Sequence, residues 1–198
     1  MRILLVALLI SLSSFTNFRT TANEEILDEA DFLRLNDHVN EIKSVCQTGK
    51  YSNKIAFFVD MKIKSGKNRF FVYDLQNDKI IDQGLVANGS GSETGVRGDL
   101  KFSNTPNSNC TSLGKYAVGG SYKGMFGKAF RLNGLDETNS NALSRAIVLH
   151  HYSAVPYDEQ DYYIANSHGC PMVNEIFFKR LEKIIESSNS KIMMYVYY

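Results

Sequence analysis

Hydrophobic spacing changes character several times along the chain. Residues 3–15 are an apolar run broken only by Ser11, Ser13 and Ser14. Within residues 23–49, Ile26, Phe32, Leu33, Leu35, Val39 and Ile42 are not a perfect stripe, though Leu35, Val39 and Ile42 keep helical spacing. Val45 and Cys46 extend it, and Gly49 supplies a stop. From residue 54 short β-branched and aromatic runs take over: Ile55–Asp60, Arg69–Asp74 and Lys79–Ala87. Turns at Ser65-Gly66-Lys67-Asn68 and Gln76-Asn77-Asp78 separate them, as antiparallel hairpins require. Further strands are expected at Gly114–Val118, Lys128–Leu132, Arg145–His150 and Lys191–Tyr198. Between the last two, Val173, Ile176, Phe177, Leu181, Ile184 and Ile185 form one apolar helix face, capped by Asn174 and ended by Ser187–Ser190. Asn88–Gly98 reads as a flexible loop, and no Gly-Lys-Ser/Thr follows to make it a phosphate cradle.

This pattern predicts a mainly antiparallel, sandwich-like β domain over 54–198. A helical N-terminal extension over 23–53 and one C-terminal amphipathic helix pack against it. The first residues read as a secretion signal, 1–22: basic Met1-Arg2, the apolar run, then small Thr20, Thr21 and Ala22, with cleavage after Ala22. About 13 apolar residues fall short of the ~20 a spanning helix needs, so no integral membrane segment is expected after cleavage. The expected location is the periplasm or cell envelope.

Removing residues 1–22 takes away Arg2 and Arg19 and leaves 20 basic against 21 acidic residues. A near-neutral chain without a basic block argues against nucleic acid as partner. A monomer is expected. Three cysteines in an exported protein leave at least one thiol unpaired. Cys46 and Cys110 are either a disulfide or two buried thiols.

The chemistry concentrates in Asn166-Ser167-His168-Gly169-Cys170-Pro171, preceded by the strand ending His150-His151. A thiol in a tight glycine turn with imidazole from a neighbouring strand suits acyl transfer: thiolate attacks, imidazole carries the proton, backbone N–H groups hold the oxyanion. His150 and the N-terminus of the following helix are expected to lower the Cys170 pKa. Such a couple predicts a bell-shaped pH profile. Two bland readings stand beside it. Cys170 is a small buried hydrophobe, or one strand histidine joins His168 and Cys170 on zinc, although that spacing matches no common zinc pattern. His38 reads as solvated. The acidic, tyrosine-rich stretch 152–166 is either a lid receiving a cationic amine or a hydrated loop covering the sheet.

These residues resemble the L,D-transpeptidases, most closely the murein L,D-transpeptidase catalytic domain branch. The likeness runs from about Arg69 to Tyr198 and is densest between Phe102 and Val173. It is carried by Phe102-Ser103-Asn104, Ser112-Leu113-Gly114, Tyr122-Lys123-Gly124, Arg131–Leu135, Arg145–His150 and Ser167–Pro171. The resemblance implies Cys170 as nucleophile, His150 as its base and the carbonyl of residue 151 as the group steadying that imidazole. It implies Gly169, Cys170 and His168 around the oxyanion, and Ser167, Tyr122 and Gly124 toward substrate. The implied substrate is a peptidoglycan stem peptide, cut before its terminal D-alanine and passed to an amine, giving a 3–3 cross-link, or to water. No metal or cofactor is implied. His151 replaces the common Gly and is expected to narrow the acceptor side. Pro171-Met172-Val173 lacks the Arg that usually meets substrate carboxylate, and Arg180 lies too far along the helix to replace it. A sortase-like enzyme needs an Arg on a strand after the thiol, where a helix is expected here. A non-catalytic murein binder retaining the fold is the alternative from another class.

Overall fold

The computed structural model describes residues 27–198, so the expected signal segment 1–22 and Ile26 lie outside the described residues. Helix α1, Glu29–Cys46, opens with Asp28, whose carboxylate accepts the Asp31 N–H at 2.8 Å. It buries Leu35, Val39, Ile42 and Cys46. Nine strands follow: β1 Tyr51–Asp60, β2 Phe70–Asp74, β3 Lys79–Gly84, β4 Val86–Ala87, β5 Gly114–Gly124, β6 Gly127–Gly134, β7 Val148–His151, β8 Met172–Val173 and β9 Lys191–Tyr197. Helix α2, Glu175–Ser187, lies between β8 and β9. Among the described residues, no helix is long and apolar enough to cross a membrane.

The strands form one sheet in the order β3-β2-β1-β9-β5-β6-β7-β8-β4. Its pairings are antiparallel except β1 with β9 and β7 with β8. The two ends of that order, β3 and β4, are consecutive in the chain with only Leu85 between them. The sheet therefore curls round on itself and encloses a core. Strand β1 shows how its two faces are used. Phe57 and Val59 enter the inner cluster with Phe70, Leu132, Leu149, Phe177 and Phe178. Ala56 and Phe58 enter the outer cluster with Leu35, Val39 and Ile42 of α1. A strand covered on both faces must be apolar at successive positions, which explains the unbroken Ala56–Val59 run.

Asn174 caps α2, accepting the Ile176 N–H at 2.8 Å. The buried face of α2 is Phe177, Phe178 and Leu181, whereas Ile176 is 55% exposed. The expected face is otherwise kept: Val173 is buried, Ile184 and Ile185 pack against the inner core, Phe178 takes the place of Ile176, and β3 offers a glycine to receive Phe177. A Cβ on Gly84 would lie 2.4 Å from the Phe177 ring. Burial of each such side chain contributes ~1.5–3 kcal/mol.

Several expected boundaries shift. β1 begins at Tyr51 rather than Ile55, and Lys79–Ala87 divides into β3 and β4. The strand expected from Arg145 begins at Val148, because Ala146 sits at φ 54 and cannot join an extended ladder. Asn88–Gly98 is anchored at its start rather than flexible throughout: Gly89 bridges to Ser167 and Ser90–Ser92 form a 3-10 turn. All three cysteines are free thiols, so Cys46 and Cys110 are not bridged. His38 is not simply solvated; its ring packs 4.1 Å from that of Tyr197 and 4.6 Å from that of Tyr195.

Candidate active site

Parallel pairing of β7 with β8 sets His150 opposite Met172, two residues beyond Cys170. The turn before β8 thereby lies beside the start of β7, and the Val148 N–H donates to Cys170 Sγ at 3.5 Å. Val148 and His150 are two apart on one strand and share a face. His150 and Cys170 both line one cleft of about 450 Å³. Tyr122, Gly124, Ser167 and His168, all expected near substrate, line it too.

His150 is buried, and its Nδ1 lies 3.0 Å from the His151 carbonyl. A carbonyl only accepts, so Nδ1 carries the hydrogen and Nε2 is left as the basic nitrogen. Phe126 stacks on the same imidazole, with centroids 5.3 Å apart and planes at 18°, and meets Tyr152 edge-on at 5.2 Å. The His151 ring does not line the cleft. It packs against Phe178, centroids 5.3 Å apart, so it does not narrow the acceptor side as its bulk suggested. Alternation along β7 sends it to the opposite face.

The thiol turn is fastened from below. Gly169 has φ 110, and a Cβ there would lie 2.8 Å from the Cys110 carbonyl oxygen. The Ser167 hydroxyl donates to the Cys170 carbonyl at 2.6 Å and accepts the Gly169 N–H at 3.1 Å. That corrects two expectations. Ser167 closes the turn rather than offering its hydroxyl to substrate, and the Gly169 N–H is already engaged. The Cys170 N–H and exposed His168 are what remain for an oxyanion.

Beneath Ser167, its N–H donates to the Asn88 carbonyl at 2.8 Å, and the Ser90 N–H donates to the Ser167 carbonyl at 2.7 Å. The buried Asn88 side chain accepts from Arg69 Nη2 at 2.8 Å and donates to Glu93 at 2.8 Å and Asn166 at 3.3 Å. Arg69 is 1% exposed and also donates to the carbonyls of Val86 and Ile63. Burial lowers its pKa to about 10. Arg145 braces the other side, donating to the carbonyls of Cys110 at 2.6 Å and Ser103 at 2.8 Å. Neither arginine was singled out from sequence. An Arg before an apolar strand carries no mark that it will be buried.

The electrostatics run against the expected thiolate. Burial raises the Cys170 pKa, only partly opposed by the Val148 N–H and the Arg145 charge. Burial also lowers the His150 pKa, against the carbonyl of His151. Both shifts favour neutral thiol beside neutral imidazole at rest. The thiol hydrogen points to the Ala146 carbonyl, 3.7 Å from Sγ. Strand β8 separates the turn from α2, so the helix does not begin at the thiol.

Of the 152–166 stretch, only Tyr152 and Asn166 reach the cleft. Glu159 accepts the Asn68 N–H at 2.8 Å, while the Gln160 N–H donates to the Gly66 carbonyl. Val155 and Ile164 pack with Leu85, Ala87 and Met172, and none of the stretch's acids lines this cleft to receive an amine. Arg180 is held by Asp82 at 2.6 and 2.9 Å, away from the thiol. Among the described residues no His/Cys/Asp/Glu group is arranged to hold a metal ion.

The site is thus a cysteine and a carbonyl-oriented histidine sharing one cleft of a curled β sheet. The sequence pattern of the L,D-transpeptidase catalytic domain family matches residues 27–197, and the chain belongs to that family. The match takes in α1, which the resemblance starting near Arg69 had left out. Comparison with curated proteins gives no sequence match. Among solved structures, an L,D-transpeptidase from Xylanimonas cellulosilytica is 15% identical, with 74% of this chain and 61% of that one covered at TM-score 0.37. One from Mycobacterium smegmatis is 10% identical, with 73% and 59% covered at TM-score 0.41. The helical cell shape determining protein Pgp2 from Campylobacter jejuni is 11% identical, with 74% and 48% covered at TM-score 0.46. The chain thus spans about half to three fifths of the length of these proteins, and family membership rests on the sequence pattern.

Proposed function

We propose that this chain is an exported cysteine acyl-transferase acting on peptidoglycan stem peptides. The observation that carries this reading is His150, its Nδ1 held by the His151 carbonyl, sharing one cleft with Cys170. Family membership supplies the substrate class. The basic, apolar, small order of residues 1–22 supports export to the periplasm or cell envelope.

In the proposed reaction a tetrapeptide stem enters the cleft with its third residue's carbonyl over Cys170. Nε2 of His150 takes the thiol proton as sulfur attacks, and the Cys170 N–H with His168 meets the oxyanion. The C–N bond breaks and the imidazolium returns its proton to the departing D-alanine amine. His150 then deprotonates an incoming amine, which attacks the thioester, re-forms the thiol and leaves a 3–3 cross-link. Water in the same place gives a carboxypeptidase. No metal or cofactor enters these steps.

The neutral resting thiol favours a second reading, a non-catalytic murein binder. Incubation with tetrapeptide-bearing murein fragments separates the two. The transferase reading expects D-alanine release or dimerised fragments, both lost in Cys170→Ala. The binder reading expects fragment retention by wild type and Cys170→Ala alike, with no product over a range of pH.

A further inference from the structure

We infer that Arg131 recognises a carboxylate of the stem peptide at the mouth of the cleft; this rests on the transferase reading above. Among the described residues lining the cleft there is no Lys, Arg, Asp or Glu. A charged substrate group must therefore find its partner at the rim. On β6, Phe130 and Leu132 enter the inner core while Ala129 lines the cleft. Alternation puts Arg131 on the face of Ala129. Its register partner on β7 is Val148, and Tyr122 is the partner of Ala129 on β5; both line the cleft.

Arg131 is exposed, and its guanidinium carbon sits 4.3 Å from the centroid of the Tyr122 ring. A guanidinium held over a ring face keeps its N–H groups for a carboxylate, which it can grip with two parallel bonds. Of the other described arginines, Arg97 also sits over a ring, that of Tyr163, but lines a different hollow, and the rest are engaged. Arg34 and Arg180 are paired with Asp60 and Asp82, and Arg145 is spent on carbonyls beneath the turn. Among the described residues no acidic side chain lies in ion-pair range of Arg131, so its charge is available to a ligand. Tyr122 thereby acts as a positioning residue.

Two carboxylates of a stem peptide fit, the one on the diamino residue and the one on the terminal D-residue. The test compares wild type with Arg131→Gln on a tetrapeptide fragment in three forms: both carboxylates free, the diamino carboxylate amidated, and the terminal one amidated. Arg131→Gln is expected to raise KM for the free form by about tenfold to a hundredfold, with kcat within about threefold. Amidation of the recognised carboxylate should weaken wild type by a similar factor and the variant hardly at all, which identifies the group. Arg131→Lys should recover part of the loss. Alkylation of Cys170 by iodoacetamide should be unchanged, which a misfolded site would not allow. An unchanged KM, or amidation effects equal in both proteins, overturns the inference. Fragment binding to Cys170→Ala, with and without Arg131→Gln, separates it from the transferase reading. Thioester formed by wild type without any Arg131 effect sinks the carboxylate site alone. Arg131-dependent binding without thioester sinks only the transferase reading, and no binding at all sinks both.

Discussion

Replacing Asn88 by Ala tests whether the buried strut under the thiol turn carries both stability and reactivity. The change removes the acceptor at 2.8 Å from Arg69 Nη2 and the donor at 2.8 Å to Glu93. The Arg69 guanidinium, 1% exposed, then holds an N–H with no partner and no route to water. Losing a hydrogen bond to a buried charged group costs ~1.5–3 kcal/mol, and the second bond with the small void adds ~1. The expected destabilisation is about 2–4 kcal/mol, or roughly 5–15 °C in melting temperature for a domain of this size. Urea unfolding should show a lower midpoint with an unchanged slope. Because the Asn88 side chain also donates to Asn166, the residue before Ser167 in the thiol turn, thioester formation well below the melting point should slow by about tenfold. A loss under ~0.5 kcal/mol together with wild-type acylation would refute the strut.

Gly169→Ala forces a Cβ to 2.8 Å from the Cys110 carbonyl at φ 110, so a loss of ~2–5 kcal/mol and near-complete loss of acylation are expected by urea titration and mass spectrometry. His151→Ala keeps the carbonyl that holds His150 and removes only a ring packed on Phe178. Activity should stay within about fivefold while stability falls by ~1–2 kcal/mol, and a collapse of kcat would show that the ring itself acts. Alkylation of Cys170 against pH should rise only above the ordinary thiol range, because burial raises that pKa; a midpoint near neutrality would mean a resting ion pair. With the neutral His150 ring as the proposed base, the acid limb of kcat/KM should track loss of its proton, below the ordinary imidazole value because burial lowers it. The denatured protein without reductant should titrate three thiols, and two fewer would restore a Cys46–Cys110 bridge.

Much of the architecture was legible because it rests on local spacing. Leu35, Val39 and Ile42 gave α1, the apolar runs gave β1, β2 and β9, and Asn174 marked the start of α2. His150 and Cys170 stood out because few other residues offer a nucleophile and a base. What escaped depends on the third dimension. Two-residue strands such as β4 and β8 have no period to detect, and the left-handed Ala146 is invisible in a run of apolar residues. On α2 the expected face holds except that Phe178, not Ile176, is buried, a detail that depends on what the helix meets rather than on its period. Burial also reversed the expected thiol ionisation. A neighbouring histidine can be read from sequence, whereas the desolvation of both partners needs the packed cleft.

The central claim is that Cys170 accepts an acyl group with His150 as its base, and intact-protein mass spectrometry after brief exposure to a tetrapeptide stem fragment tests it most directly. The account predicts an adduct equal to the fragment less its terminal D-alanine, mapped to Cys170, slowed by orders of magnitude in His150→Ala and absent in Cys170→Ala. No adduct from folded wild-type protein across the pH range, or one that persists without the thiol, would contradict it.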